Sequence, residues 1–164
     1  PGTHLLAAYA PHAAAVVAQM RVEATTNEHK AALRLLGVLP PLAGAVVTID
    51  AAGCQKATVE QVRARGGDYI VCVKGNQPGL RDAVAAVFDR AAATDFAGCG
   101  MAAETGTGHG RAEERYVTVV ENPEGLPDGW AGVGAVALVC RERETGGKAN
   151  ESTAHYYLTS LKVS

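Results

Sequence analysis

The sequence has few of the features that mark several common protein classes. Its 164 residues contain four cysteines but no C-x-x-C pair, so a zinc site is not indicated and reduced thiols in a cytosolic protein are expected. No apolar run approaches the ~18 residues of a membrane span, and no segment resembles a signal peptide. The net charge is only −2, so any nucleic-acid-binding surface must be a local patch.

Motifs of several enzyme classes are also missing. There is no G-x-S-x-G nucleophile motif, and the serines lie in poor contexts for catalysis. The glycine-rich segment 106–110 departs from G-x-G-x-x-G and follows no strand pattern, so a dinucleotide site is not expected. The histidines outside that segment are scattered without metal-ligand spacing. Serine-hydrolase, dinucleotide-binding and zinc-enzyme functions are therefore disfavoured.

Residues 1–92 alternate between strand and helix patterns. Strands are predicted at 4–10, 14–22, 45–49 and 69–73, and helices between 27 and 40, at 55–65 and from 78 to 91. The apolar content of 48% is enough for one domain, which we place at 1–164. Strand–helix–strand–helix alternation predicts a parallel strand pair with a right-handed crossover.

Residues 93–164 are predicted to be a β-rich extension of the same domain. Residues 94–104 have no regular pattern, and strands follow at 115–120, 133–140 and 155–158 with turn residues between them. No helix pattern separates these strands, so antiparallel pairing is expected. The alternating charges of Arg141-Glu142-Arg143-Glu144 predict a hairpin that continues into solvent.

Asp50 is the most informative single residue. It ends a β-branched run that predicts a strand buried on both faces, and ligands of open α/β sheets bind at such strand ends. The next strand leads into Lys74-Gly75-Asn76-Gln77, which brings a cation and two amides to a second strand end. The pair of strand ends predicts a site for a phosphate-rich substrate and a metal. The alternative that Asp50 caps the following helix stays open at this point.

Other polar residues around these strand ends have two interpretations each. Lys74 either contacts a phosphate of the substrate or is a solvated surface lysine, and Asn76 and Gln77 either position a strand or cap the helix from Pro78, with capping favoured for Asn76. Gln55 either supports Asp50 or simply begins a helix. Three further candidates for contact with the substrate flank a predicted turn that could equally be a surface loop: His109, Arg111 and Arg115.

Four segments, in this order and with similar gaps, resemble bacterial insertion-sequence transposases of the DDE type, the H-repeat-associated proteins being the nearest group. They are Thr26-Asn27-Glu28, Val47-Thr48-Ile49-Asp50-Ala51-Ala52-Gly53-Cys54-Gln55, Gly67-Asp68-Tyr69-Ile70-Val71-Cys72-Val73-Lys74-Gly75-Asn76-Gln77 and His109-Gly110-Arg111-Ala112-Glu113-Glu114-Arg115. The second and third segments are the most specific, and the resemblance covers nearly the whole chain.

The resemblance implies a ribonuclease-H-like core in which three acidic residues hold two Mg²⁺ (or Mn²⁺) ions, which clamp an in-line phosphoryl transfer on DNA. Asp50 matches the second acid of the family and would be both catalytic and a metal ligand. The other two acids are expected outside this chain, which would then be the central part of a transposase and inactive alone. The resemblance implies that the partner is DNA, as transposon ends and target, and that the protein is a homo-oligomer with no membrane partner. The candidate DNA-binding residues are then Lys74, Asn76, Gln77, His109, Arg111 and Arg115.

The absence of the strand that carries the first acid of the family would also affect the sheet. In ribonuclease-H-like folds the strand with the first acid lies between the strands at His4 and Asp50. We therefore expect either that a strand from a second copy or from elsewhere in the chain takes this place, or that the His4 strand pairs directly with the Asp50 strand. Two other function classes stay open: a degenerate, non-catalytic nucleic-acid-binding remnant, and a small-molecule-binding α/β domain.

Overall fold

A computed structural model describes residues 4–22, 28–108, 111–145 and 148–162. The strands are β1 (Leu5–Ala10), β2 (Ala15–Arg21), β3 (Val46–Ile49), β4 (Asp68–Val73), β5 (Gly100–Gly108), β6 (Arg111–Glu121), β7 (Ala135–Thr145) and β8 (Lys148–Thr159). The α-helices are α1 (Glu28–Val38), α2 (Lys56–Ala64) and α3 (Pro78–Ala92), and a short 3-10 turn, Pro11–Ala13, joins β1 to β2. No helix in these ranges is long and apolar enough to cross a membrane.

The two halves of the sequence share one mixed sheet of six strands, in the order β3-β4-β8-β7-β6-β5. β3 and β4 are parallel, and the four remaining neighbour pairs are antiparallel. The chain is therefore an α/β protein. Both the parallel pair and the antiparallel pairing of the second half, predicted from the sequence, are confirmed.

One face of this sheet is covered by α2 and α3. Because side chains alternate along a strand, Tyr69, Val71 and Val73 share a face, and all three are buried in the core with helix residues. Phe88 of α3 stacks on Tyr156 of β8 with ring centroids 5.7 Å apart. The apolar positions of the third predicted helix indicate a core face of Leu80, Val84, Val87, Phe88 and Ala91, and the first four of these are buried in α3.

The prediction that the Asp50 strand is buried on both faces is wrong. β3 lies at the edge of the sheet, where its only partner among the described residues is β4, and Val46 is 47% exposed. A run of four β-branched residues, Val46 to Ile49, suits a central strand and an edge strand alike. The number of strands that pair with β3 depends on contacts with distant parts of the chain, which the local sequence does not encode.

The β1–β2 hairpin forms a separate two-stranded sheet and packs against α1. Direct pairing of the His4 strand with the Asp50 strand is therefore not observed: in the described part of the chain, β1 pairs with β2 and β3 with β4. A strand contributed by a second copy stays a prediction, as does the complete ribonuclease-H-like core.

The second half is more regular than expected. β5 occupies part of the 94–104 segment that was predicted to be irregular, and it pairs with β6 from Gly100 to Gly108. Its residues 101–106 are all exposed, so no buried apolar alternation marks the strand in the sequence. β6, β7 and β8 also extend well beyond the predicted limits, because cross-strand pairing continues through charged positions.

Candidate active site

Asp50 and Lys74 lie at the same edge of the sheet. β3 and β4 run parallel with Ile49 opposite Val71, so their carboxyl ends point the same way. Asp50 follows Thr48 by two residues and Lys74 follows Cys72 by two, which places both on the face opposite α2 and α3. Both residues are exposed. This arrangement agrees with the placement expected from the sequence.

The loop after β3 fixes Asp50 through its own backbone. Oδ1 of Asp50 accepts a hydrogen bond from the backbone N–H of Gly53 at 3.2 Å. α2 begins only at Lys56, with Gln55 as the N-cap residue, so the helix-cap interpretation of Asp50 is wrong. A Cβ on Gly53 would lie well inside 3.0 Å of the Ile49 Cγ2 methyl, so the tight turn requires glycine here.

Asn76 and Gln77 connect the two strand-end loops. Asn76 Nδ2 donates to the Ala51 carbonyl at 2.6 Å, and Gln77 Nε2 donates to the Cys54 carbonyl at 2.9 Å and to Gln55 Oε1 at 3.1 Å. The cap interpretation of Asn76 is wrong, because the N-cap of α3 is Gln77 and its side chain makes no cap hydrogen bond. These amides hold the Asp50 loop against the Lys74 loop, and Gln55 contributes through Gln77.

Two buried thiols lie next to this edge. Burial, and secondarily the Cys72 thiol, raise the pKa of Cys54 to about 12. Burial also raises the pKa of Cys72, which nearby Lys74 lowers and nearby Asp50 raises. The side chains of Asp50 and Lys74 are thus both close enough to Cys72 to affect the pKa of its thiol. Because a protonated thiol is a poor nucleophile, these cysteines are suited to packing rather than covalent chemistry.

The other candidate DNA contacts lie apart from Asp50. Arg115 is an exposed residue of β6, which is separated from β3 by β4, β8 and β7. Arg111 is the first residue of β6, and His109 lies outside the described residues. Sequence reasoning missed that Arg141 and Arg143 of β7 join Arg115 around one carboxylate, that of Glu113. The i, i+2 spacing of Arg141 and Arg143, which places both side chains on one face of a strand, is the sequence signal that could have indicated this cluster.

The donor set for a metal is incomplete in the described part of the chain. Asp50 could supply hard oxygen ligands of the kind Mg²⁺ prefers. No group of three or more His, Cys, Asp or Glu side chains that could hold a metal ion is formed by the described residues. One carboxylate does not satisfy a two-metal site, so the residues described do not hold the metals by themselves.

The family described as "Transposase DDE domain" matches residues 1–142, and the chain belongs to this family. The protein is therefore related to insertion-sequence transposases, and the resemblance noted in the sequence is confirmed.

Two of the individual relatives are described as putative transposases. The chain is 30% identical to the H repeat-associated putative transposase YhhI of Escherichia coli K12 over 166 residues, and 31% identical to the putative transposase YncI of Escherichia coli O157:H7 over 163 residues. These matches cover 98% and 96% of the chain but only 43% and 41% of the relatives. An uncharacterized protein in the dhlA 3' region of Xanthobacter autotrophicus is 36% identical over 90% of the chain and 50% of its own length. The chain thus spans half or less of the length of these relatives.

Proposed function

We propose that the parent protein cuts and joins DNA by metal-dependent phosphoryl transfer, with Asp50 as one of its catalytic, metal-ligating carboxylates. The observation that carries this proposal is the exposed Asp50 at the carboxyl end of β3, beside Lys74, in a chain of the DDE transposase family. DNA, as transposon ends and target, is the proposed substrate.

The surrounding residues have distinct proposed roles. Lys74 contacts a DNA phosphate, because an exposed cation beside the carboxylate positions an anionic backbone without recognising its sequence. Asn76, Gln77 and Gln55 are positioning residues, since their side chains hold the two loops together. The Gly53 N–H fixes the orientation of Asp50 through one carboxylate oxygen.

The isolated chain is proposed to be inactive. Two metals about 3.5–4 Å apart need several carboxylates around them, and the described residues form no group of three or more His, Cys, Asp or Glu side chains that could hold a metal ion. Further acids and the Mg²⁺ or Mn²⁺ ions would be supplied in the intact protein, which we propose acts as a homo-oligomer on DNA in the cytoplasm.

The test is Asp50→Asn in the intact parent, assayed for Mg²⁺-dependent strand cleavage at transposon ends. The amide keeps the shape of the side chain and removes its charge, so cleavage should be abolished while the circular dichroism spectrum and melting temperature stay close to those of wild type. Asp89→Asn on α3 is the matched control, since Asp89 is an exposed carboxylate near the end of the helix that is remote from Lys74, and it should leave cleavage unchanged.

Three outcomes would contradict parts of the proposal. Cleavage by Asp50→Asn at the wild-type rate would remove Asp50 from the chemistry. Robust Mg²⁺-dependent cleavage by the isolated 164-residue chain would refute its proposed inactivity. A wild-type parent that binds DNA but never cleaves it would instead identify a degenerate remnant.

For Lys74→Ala we expect weaker DNA binding across all sequences and a salt slope smaller by about one unit.

A further inference from the structure

We propose that the DNA-binding surface at the Asp50 edge continues onto β8, where His155 binds a backbone phosphate beside the one bound by Lys74. Tyr157, two residues further along β8, would donate its hydroxyl to the same DNA backbone. The proposal rests on DNA as the substrate of the proposed function. It adds to that function a third strand and a histidine that lies outside the strand-end motifs.

Strand pairing places His155 next to Lys74. The antiparallel ladder between β4 and β8 ends with Val73 opposite Tyr156. Lys74 directly follows Val73 and His155 directly precedes Tyr156, so the two lie side by side at the end of this ladder. Because Tyr156 packs against the core that α2 and α3 cover, the side chain of His155 is on the opposite face of the sheet, which is the face of Asp50 and Lys74.

Tyr157 lies on the same face, in line with Asp50. Ile49 is opposite Val71 in the parallel pair, so Asp50, the next residue, is beside Cys72. Cys72 in turn is opposite Tyr157 in the pairing of β4 with β8. Burial raises the pKa of the Tyr157 hydroxyl, and the Cys72 thiol raises it further, which agrees with this order. Asp50, Cys72 and Tyr157 thus form one row across three strands.

The side chains of Lys74, His155 and Tyr157 are available to a ligand. None of the three makes a hydrogen bond or an ion pair with a residue in the described part of the chain. Lys74 is exposed, and the other two are half-buried. Val139 is opposite His155 on β7, and Thr153 and Tyr157 are two residues away from it along β8. No carboxylate at these three positions competes with a phosphate for the imidazole.

The polar groups of these three side chains suit a phosphate better than a metal ion. Lys74 offers an ammonium group, His155 a ring N–H and Tyr157 a hydroxyl, and all of these can donate to phosphate oxygens. Mg²⁺ prefers oxygen ligands, so the metals that Asp50 would hold do not require a histidine.

The position of β8 relative to Asp50 indicates which phosphate is contacted. β8 is two strands from β3, so at about 4.8 Å between strands and ~3.3 Å per residue, His155 and Tyr157 lie roughly 10 to 12 Å from Asp50. That distance is about three nucleotides along one strand of a duplex, at ~3.4 Å each. His155 would therefore bind the backbone a few nucleotides away from the phosphate that reacts.

The test measures binding of the intact parent to a fluorescein-labelled duplex that carries one transposon end. Fluorescence anisotropy in EDTA, between 50 and 200 mM KCl, measures binding without cleavage. His155→Ala should weaken binding at the lowest salt by about 10-fold, as expected for the loss of one hydrogen bond to a charged group. Tyr157→Phe removes only the hydroxyl and should weaken binding by a smaller factor. His12→Ala, in the exposed turn between β1 and β2, is the matched control and should leave binding unchanged.

Two charge variants distinguish a phosphate contact from a structural role. His155→Arg should bind at least as tightly as wild type, with a salt slope steeper by up to ~0.9, because a permanent cation then contacts the backbone. His155→Glu should bind more weakly than His155→Ala, since a carboxylate repels the phosphate. Circular dichroism and melting temperature check the folding of each variant, and if His155→Ala folds poorly the difference between His155→Arg and His155→Glu decides.

Unchanged binding by His155→Ala, or equal binding by His155→Arg and His155→Glu, would overturn the role of His155 and leave the proposed function standing. Cleavage by the Asp50→Asn parent would refute the proposed function, whereas a loss of binding in His155→Ala that His155→Arg restores would still identify β8 as part of the DNA-binding surface. A wild-type parent that does not bind the duplex would overturn both.

Discussion

Gly53→Ala is expected to destabilise the protein through one identifiable clash. A Cβ at residue 53 would overlap the Ile49 Cγ2 methyl, which is held by a β-branched carbon at the end of β3 and cannot rotate away cheaply. Overpacking of this kind costs about 1–3 kcal/mol, and the reduced entropy of the unfolded chain returns about 0.4–1 kcal/mol. We therefore expect a net loss of about 1–2 kcal/mol in the free energy of unfolding.

Urea unfolding followed by tryptophan fluorescence measures this loss. Trp130 is the single tryptophan of the sequence and is buried in the core, so it reports global unfolding. Gly79→Ala is the control, because a Cβ there meets open space within α3. That substitution should be neutral or stabilising by up to ~1 kcal/mol, as expected for alanine in a helix.

A double-mutant cycle tests whether Ile49 is the cause. In an Ile49→Ala background the overlapping methyl is gone, so Gly53→Ala should cost close to nothing and the coupling energy should be about 1–2 kcal/mol. In an Ile49→Val background the methyl stays, and the full cost should return. Additive effects in the Ile49→Ala background, or a Gly53→Ala protein as stable as wild type, would refute the reasoning.

Two further predictions concern the same edge of the sheet. Gln77→Ala removes hydrogen bonds to the Cys54 carbonyl and to Gln55, so it should lower the free energy of unfolding by roughly 1–3 kcal/mol; an unchanged urea midpoint would contradict this. Cys54 should resist alkylation by iodoacetamide at pH 8 in the native protein, checked by peptide mass spectrometry, because burial raises the pKa of its thiol to about 12. Rapid labelling of Cys54 in the native protein would contradict this prediction. Because the pKa of Cys54 in the folded protein lies above the ordinary value of 9, the stability that comes from keeping this thiol protonated is complete below pH 9 and is lost as pH rises from 9 to 12.

Periodicity predicted the helices well because their apolar positions repeat with the helical period. α3 buries Leu80, Val84, Val87 and Phe88 on one stripe, as its sequence indicates. β5 could not be predicted in the same way, since its exposed residues carry no buried alternation and its conformation depends on pairing with β6. The edge position of β3 likewise depends on which strands are present beside it.

The positions of Asp50 and Lys74 could be predicted from the sequence, because each residue directly follows an apolar strand pattern. The apolar runs before Asp50 and Lys74 predicted two neighbouring strand ends, and the parallel pairing of β3 and β4 brings those ends together. The role of Asn76 was not predictable, because a polar residue just before a helix is usually a cap, whereas its amide here bonds to Ala51 in another loop. Contacts between loops distant in sequence leave no local pattern.

The pairing of β4 with β8 has a consequence for the order of folding. Tyr69 donates from its backbone to the Ser160 hydroxyl, and its carbonyl accepts from Thr159, so the centre of the sheet joins positions about 90 residues apart in the chain. The β5–β6 and β7–β8 hairpins join strands that are only two residues apart in the chain and can form early, whereas β4 must wait for β8 because closing a long loop is entropically costly. On the ribosome, β4 therefore emerges with an unpaired edge and keeps it until β8 is synthesised. This interval is when association with other nascent chains competes with folding.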